Sequence, residues 1–582
     1  MPILALAQLQ ETKIPVKLVS VGGEDIPFAF KKYEKPIEKE ELLYTTETLR
    51  NDLLKAGYAT ASIDKQFIKN DTAFVHLFIG ERYAITNLVV ADSNQFLLEE
   101  LGLKNTFKKE IYLNQNNLSL FQEGLLGKLE RNGFPYAKVA FKNAEINEDE
   151  VEIQLSVEKG PYITFDTVSN KNNAAISKGY LSTYLGIRAG SQYNEALVRN
   201  IDERLAELPF IQIQKPSRVW FSSDNKAHVE VFLQERKVSK FDFLIGVLPN
   251  NANSGKVLVT GEAGISLWNI FGTGKKIEVG WKRLKPQSQK LNVYFDYPYI
   301  LNTPLGADVR FELDKQDTSY LDLQYAIGIQ YLFSGRDRLK IIIDNNQTFL
   351  IEADTSYIKN TGKLPPNLDQ STFLTGLEIY FEKLNYIYNP QNGWELNASV
   401  TAGYKKIKQN TSILQLDLPE NFPSTEELYD SLTSRSAKFE MKWLANYYIP
   451  IAKRQVIKVG VKGGAIYNKN LLANELLRIG GNDKLRGFDE ESVLTSLYNI
   501  MTTEYRYLLD KNAFLSLFFD WAYVERRLAD SFTNDFPFGF GAGLNFETKA
   551  GIFGLSYALG RQNNSPVDFK SSKIHFGYVN IF

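Results

Sequence analysis

Residues 477–492, LRIGGNDKLRGFDEES, set Arg486 between Leu485 and the pair Gly487-Phe488, in a polar stretch that also carries Gly480 and Gly481. A guanidinium stays charged in water at any ordinary pH, and its planar fork of donors matches a carboxylate bidentately. The chemistry open to such a residue is tethering by an ion pair, so the question is where its acid lies. In TTEYRYL (502–508), Thr502, Glu504 and Arg506 share one parity, while Tyr505 and Tyr507 share the other. In AFLSLFFDWAYV (513–524), Leu515, Leu517, Phe519, Trp521 and Tyr523 make one large apolar face, opposite Ser516, Phe518, Asp520 and Ala522. Successive strand side chains point to opposite faces, so Asp520 faces away from whatever apolar medium the aromatics meet. A polar stretch folded inward would bring Arg486 to Asp520, with Glu504 as a second acceptor and Gly487 permitting the tight turn. Taken alone, an exposed loop with a solvated arginine explains the same residues.

Other chemistries find no support. His76, His228 and His575 fall in separate strand-like runs, too scattered for a metal site. The GTGKK run lacks phosphate-loop spacing, and GFGAG (539–543) opens no helix. No G-x-S-x-G elbow occurs, and acidic NEDEVE reads as a solvated hairpin. No catalytic residue, metal or cofactor is therefore expected. With 67 basic and 68 acidic residues there is no bulk pull toward nucleic acid. The absence of cysteine excludes disulfides, thiolate metal sites and a lipidated cysteine.

The elements that must position Arg486 and its acids come in two grammars. Residues 13–239 mix strands with amphipathic helices on one repeated plan: short strand, helical stretch, second helix ending in a glycine or proline turn, then two strands. The helix ends are LRNDLLKAGYATASI (49–63), LLGKLERNGFPYAKV (125–139) and NIDERLAELPFIQIQ (200–214). Gly57 to Gly133 spans 76 residues, as does Phe134 to Phe210. A period that long, with mixed elements, means tandem small α/β domains. They are expected over 13–82, 83–162 and 163–239. Before them, MPILALAQLQ reads either as the tail of a secretory signal cut after Ala7, without its basic region, or as a frayed start over 1–12.

Beyond about 240 the helical period gives way to alternation. In FEMKWLANYYI (439–449), Phe439, Met441, Trp443, Ala445, Tyr447 and Ile449 share one face, and Glu440, Lys442 and Asn446 the other. Sixteen strands are expected, the first over 240–249 and the last over 573–582. Short turns such as NIFGTG (269–274) and DKNA (510–513) follow even strands. Long loops near 353–371, 409–434 and 468–493 follow odd ones. An even strand count with short turns on one rim and long loops on the other marks an outer-membrane β-barrel, whose strands leave no hydropathy peak despite the mean hydropathy of −0.26. The fold class expected is thus tandem α+β domains followed by an all-β, 16-stranded antiparallel transmembrane barrel over 240–582.

This order, with R-G-F in the sixth long loop, resembles the POTRA-plus-barrel superfamily of BamA, TamA and the two-partner secretion transporters, across essentially the whole chain. The family's loop motif matches Leu485, Arg486, Gly487 and Phe488 after Gly480-Gly481. Its lumenal strand motif F-x-D-x-G matches Phe518 and Asp520, with Ala522 in the glycine place. NIFGTG, DYPY (296–299), NPQNGW (389–394) and the aromatic last strand are similar too. The resemblance implies an Arg486–Asp520 lock between an inward loop and the barrel wall. It implies a non-enzymatic assembly factor in the outer membrane of a Gram-negative bacterium. Its POTRA-like domains would lie in the periplasm and capture unfolded outer-membrane proteins, with outer-membrane lipids and accessory periplasmic or lipoprotein subunits as further partners. It also implies a weak lateral seam between the first and last strands, at Phe241, Phe243 and Gly246 on one side and Phe576, Gly577 and Phe582 on the other. Glycine weakens a strand interior, which fits a labile seam; relief of crowding fits those glycines as well. The alternative function is a pore exporting one dedicated protein, and three α/β repeats favour the assembly factor over it.

Overall fold

The structure, a computed structural model, describes residues 13–90, 111–249, 257–283 and 287–581, apart from a few isolated positions at 114, 148–149, 173, 335, 387–388, 431, 433–434, 529–530, 549–550, 563–565, 568 and 570–571. The proposed leader, 1–12, and Phe582 lie outside the described residues. By compactness the chain divides into Met1–Asp166 with Ala189–Arg199 and Val219–His228, and Thr167–Arg188 with Asn200–Arg218 and Val229–Phe582.

Among the described residues, three small sheets precede the barrel. In the first, Val16–Ser20 runs parallel to Thr72–Phe78, which pairs antiparallel with Ser62–Lys69. The helix Leu42–Lys55 buries Leu49 and Leu53 against Val75 and Leu77 of this sheet, the helical and strand periods meeting in one core. The second sheet is ordered Ile111–Tyr112, Ala84–Val90, Glu150–Glu158, Lys138–Asn147, and the third Thr164–Asn170, Lys226–Glu235, Ile211–Phe221. Gly57 and Gly133 take positive φ (96° and 89°) at the ends of their helices, where a left-handed residue closes the last turn.

The barrel wall is an antiparallel sheet from Lys240–Pro249 to Lys573–Ile581. Among the described residues it contains seventeen strand segments, one more than expected. Ser531–Asp535 and Phe538–Thr548 pair in succession with the single strand Phe514–Leu528, so the segments fill sixteen wall positions. The break falls at Pro537, which has no N–H to give to a ladder; its carbonyl accepts from Ala522 N–H at 2.8 Å. Alternation sorts the wall. Phe439, Met441, Tyr447 and Ile449 face outward and are exposed, as are Leu515, Leu517, Phe519 and Trp521.

On the short-turn rim, the helix Lys178–Leu185 is capped by Ser177 and ends at left-handed Gly186. Ser177 N–H donates to Gly272 O at 2.7 Å, and Asn269 Nδ2 donates to Ala175 O at 2.7 Å. Tyr180 and Tyr184 meet Tyr299 edge-on at 5.4 and 6.1 Å. Gly274 (φ 69°) is required here, since a Cβ would lie 2.2 Å from the Tyr180 ring. The NIFGTG and DYPY motifs thus seat this helix. The long-loop rim carries short helices, Thr355–Thr361, Thr411–Leu414 and Thr425–Asp430, around a core of Ile358, Leu368, Ile407, Ile413 and Tyr429.

Candidate functional site

The sixth long loop enters the lumen as a small hairpin. Leu477–Ile479 pairs with Val493–Thr495, and Gly480 and Gly481 follow at φ 115° and 91°. Side chains at either position would collide, with Asp489 O and the Glu490 carboxylate respectively. Beyond them the chain turns back on itself, Gly481 N–H donating to Phe488 O at 3.2 Å.

The structure brings Arg486 onto the strand residues expected to meet it. Its Nε and one terminal nitrogen donate to the two oxygens of Asp520 at 2.7 and 2.6 Å, a bidentate fork. Its backbone N–H also reaches Asp520, at 3.2 Å. The other terminal nitrogen reaches Glu504 at 2.6 Å. Asp520 is 1% exposed, so a carboxylate with no cation beside it would be very costly there. The guanidinium lies 3.6 Å over the Phe518 ring, adding cation–π attraction of about 0.5–2 kcal/mol. Phe518 lies over Gly541, where a Cβ would come within 2.8 Å of its ring. Leu485 and Phe488 flank the arginine and pack with Ile479, Tyr498, Ile500, Ala522 and Val524. Ala522, in the glycine place, is accommodated inside this cluster.

Several participants lay beyond sequence reasoning. Thr502 Oγ1 donates to Asp520 at 2.9 Å. Arg506 bridges onward, from Glu504 at 2.6 Å to Asn389 Oδ1 at 3.1 Å. Gly539 faces the Arg486 carbonyl, where a Cβ would sit 1.8 Å away, and Gly560 faces the Gly487 carbonyl, at 2.5 Å. The signal for one of these wall glycines was available: GFGAG puts Gly539, Gly541 and Gly543 on one face of a strand, and strand glycine marks close backbone approach; pairing then sets Gly539 opposite Asp520. A second charge cluster, Glu475 with Lys405 and Lys438, holds the root of the loop. Its partners lie far apart in sequence among many alternating charges, and no spacing singles them out.

At the seam, among the described residues, the first and last strands pair at Lys240↔Ile581 and Phe241↔Asn580. Phe241 and Phe243 are exposed, their rings 6.5 Å apart. Gly246 is paired with Thr260 of the next strand, and Phe576 and Gly577 with Leu555 and Gly554.

A family model for the Omp85 superfamily domain matches residues 269–582. The chain belongs to the Omp85 superfamily. Among solved structures it is similar to CdiB from Escherichia coli, at 13% identity and a TM-score of 0.53, with 95% of this chain and 98% of that one covered. CdiB from Acinetobacter baumannii matches at 13% identity and a TM-score of 0.54, covering 96% and 100%. BamA from Haemophilus ducreyi lacking POTRA domains 1–3 matches at 17% identity and a TM-score of 0.43, covering 86% and 100%. No curated protein matches the sequence. This Omp85 protein is an outer-membrane β-barrel that acts on protein clients without catalysing a reaction, as its family does.

Proposed function

We propose that this Omp85 protein is an assembly factor that folds other barrel proteins and inserts them into the outer membrane. Its three α/β domains stand in the periplasm and take up unfolded clients, and the wall opens sideways between its first and last strands. The observation that carries the reading is the seam: among the described residues two pairs join those strands, where the flanking strand pairs carry ten and seven. Unpaired strand edges in a barrel are costly in hydrocarbon. They are also the natural template on which another strand can add, so an edge left half-paired is suited to receive a client hairpin. The Arg486 cluster grips strands further round the wall, while Asp489 of the same loop reaches Lys573 on the last strand at 2.8 Å.

The test is reconstitution in liposomes. Urea-denatured barrel proteins unrelated to this chain are diluted into vesicles with and without it, and the rate at which their heat-resistant folded forms appear is followed. Acceleration by tenfold or more is expected for more than one client. No acceleration, together with a large steady conductance and export of a single protein substrate, would replace this reading with that of a secretion pore.

A further inference from the structure

The sixth loop is gripped at two places, and the lock at Arg486 is only one of them. We infer that Glu475, held between Lys405 and Lys438, is a positioning residue that fixes the root of the loop while the Arg486 tip is free to release. The tip then swings on Gly480-Gly481, and the loop stays in the barrel. What the release serves, passage of a client, rests on the assembly-factor reading; the two-clamp arrangement itself does not.

The root clamp is separate from the Arg486 lock, and its Lys438 is shared with Glu440 at 3.1 Å. Lys405 Nζ lies 2.5 Å from one Glu475 oxygen, and Lys438 Nζ lies 3.0 Å from the other. Lys405 also donates to Asn470 O at 2.5 Å, and Glu475 accepts from Leu472 N–H at 2.9 Å. The adjoining loop adds two ties, Ala473 N–H to Pro366 O at 3.1 Å and Asn474 Nδ2 to Leu368 O at 3.2 Å. Between this clamp and Arg486 stand the short hairpin and two glycines at positive φ, a combination that permits rotation where other residues would resist it.

A cavity roomy enough for water beside one clamp decides which of them opens. The side chains of Lys405, Glu475 and Lys438 are 0%, 1% and 4% exposed, so parting them would strand charges away from water. Arg486, Glu504 and Asp520, at 12%, 8% and 1%, instead line a cavity of about 400 Å³ together with Lys458, Thr502 and Ser516. Water in that polar cavity can take over the solvation of the guanidinium and the carboxylates as they separate. The tip is therefore the releasable end.

With no native cysteine, single thiols can report each end in the full-length protein in liposomes. Leu485→Cys replaces a buried tip residue and Leu471→Cys a buried root residue. Arg486→Ala is expected to raise labelling at 485 by a membrane-impermeant thiol reagent at least tenfold, and to leave 471 within twofold. Glu475→Gln is expected to do the reverse, and Glu475→Asp, which keeps the charge, to leave 471 protected. A merely structural role for Glu475 would free both positions together. If Arg486→Ala also exposes 471, or Glu475→Gln leaves 471 protected or exposes 485 as strongly, the two-clamp inference falls. Should Glu475→Gln fail to give the heat-modifiable folded form, Lys438→Gln, which leaves Lys405 in place, reads the same position, with a smaller rise expected at 471 and none at 485. Failure of the assembly-factor reading would instead appear in the client-folding rates.

Discussion

Between Leu497–Leu508 and Phe514–Leu528, twelve residues face twelve; between Lys240–Pro249 and Lys573–Ile581, two of the described residues face two. Both pairs belong to one barrel and use the same backbone donors and acceptors. What separates them is bracing from inside. The loop tip grips Glu504 and Asp520, lies on Gly539 and Gly560, and reaches the last strand through Lys573 and Asp489 at 2.8 Å. The strands leading up to the seam are thereby joined into one plate, and the seam is the edge of that plate. On the assembly-factor reading, a barrel braced in this way while the tip is locked would part first at that edge.

The largest expected effect comes from closing the weak place. Directly opposed antiparallel residues have Cα atoms about 4.5–5.5 Å apart, within disulfide range. Phe241→Cys with Asn580→Cys should therefore crosslink under oxidation and abolish client folding, with recovery on reduction. A crosslink inside the braced wall, Thr503→Cys with Phe519→Cys, should leave activity unchanged. Equal activity of the two oxidised proteins would show that the seam does not open.

Next in size is the loss of the brace. Asp520→Ala leaves Arg486 with Glu504 alone, and orphaning one member of a buried ion pair costs about 3–5 kcal/mol. The folded band should lose its resistance to heating in detergent at a clearly lower temperature than in the parent. Arg486→Lys keeps the charge but loses the fork, and less than half of the stability lost in Arg486→Ala should return. Full recovery with lysine would mean that charge alone matters at this site.

Gly539→Ala probes the same brace from the wall side. A methyl 1.8 Å from the Arg486 carbonyl cannot be accommodated without moving the loop, and overpacking of this kind costs about 1–3 kcal/mol. Heat resistance should fall by less than in Asp520→Ala while the seam crosslink still forms. A neutral result would place the tip further from the wall than the structure has it.

These sites differ in how far they could be read from the chain. Period-two alternation with aromatics on one face is imposed by a wall between lipid and water, so the strands stand out, and Asp520 declares its side by breaking the pattern among Leu517, Phe519 and Trp521. Arg486 declares itself by its glycines. Ser531–Asp535 escapes notice because it lies beyond the apolar zone and nearly all its residues are exposed, which leaves no alternation to see. Glu475 is hidden for a different reason. Its partners, Lys405 and Lys438, lie 70 and 37 residues away by sequence position, and each sits in a strand where a charge on the lumenal face is ordinary. Only the folded loop separates these lysines from their neighbours.

Ala522→Gly is the smallest perturbation of the comparison. The resemblance to the family places glycine here, yet the alanine is fully buried and packs with Leu485, Phe488 and Ile500, on the loop side and the wall side of the brace. Removing the methyl forfeits burial of about 0.8 kcal/mol and adds backbone freedom of about 0.5–1 kcal/mol to the unfolded chain. A net loss of roughly 1–2 kcal/mol is expected, below that of Asp520→Ala. The Ala522 N–H bond to Pro537 O survives the change, so strand pairing should not alter. If the glycine variant is instead the more heat-resistant, the methyl crowds the tip, and the brace in this protein is looser than its ion pairs suggest.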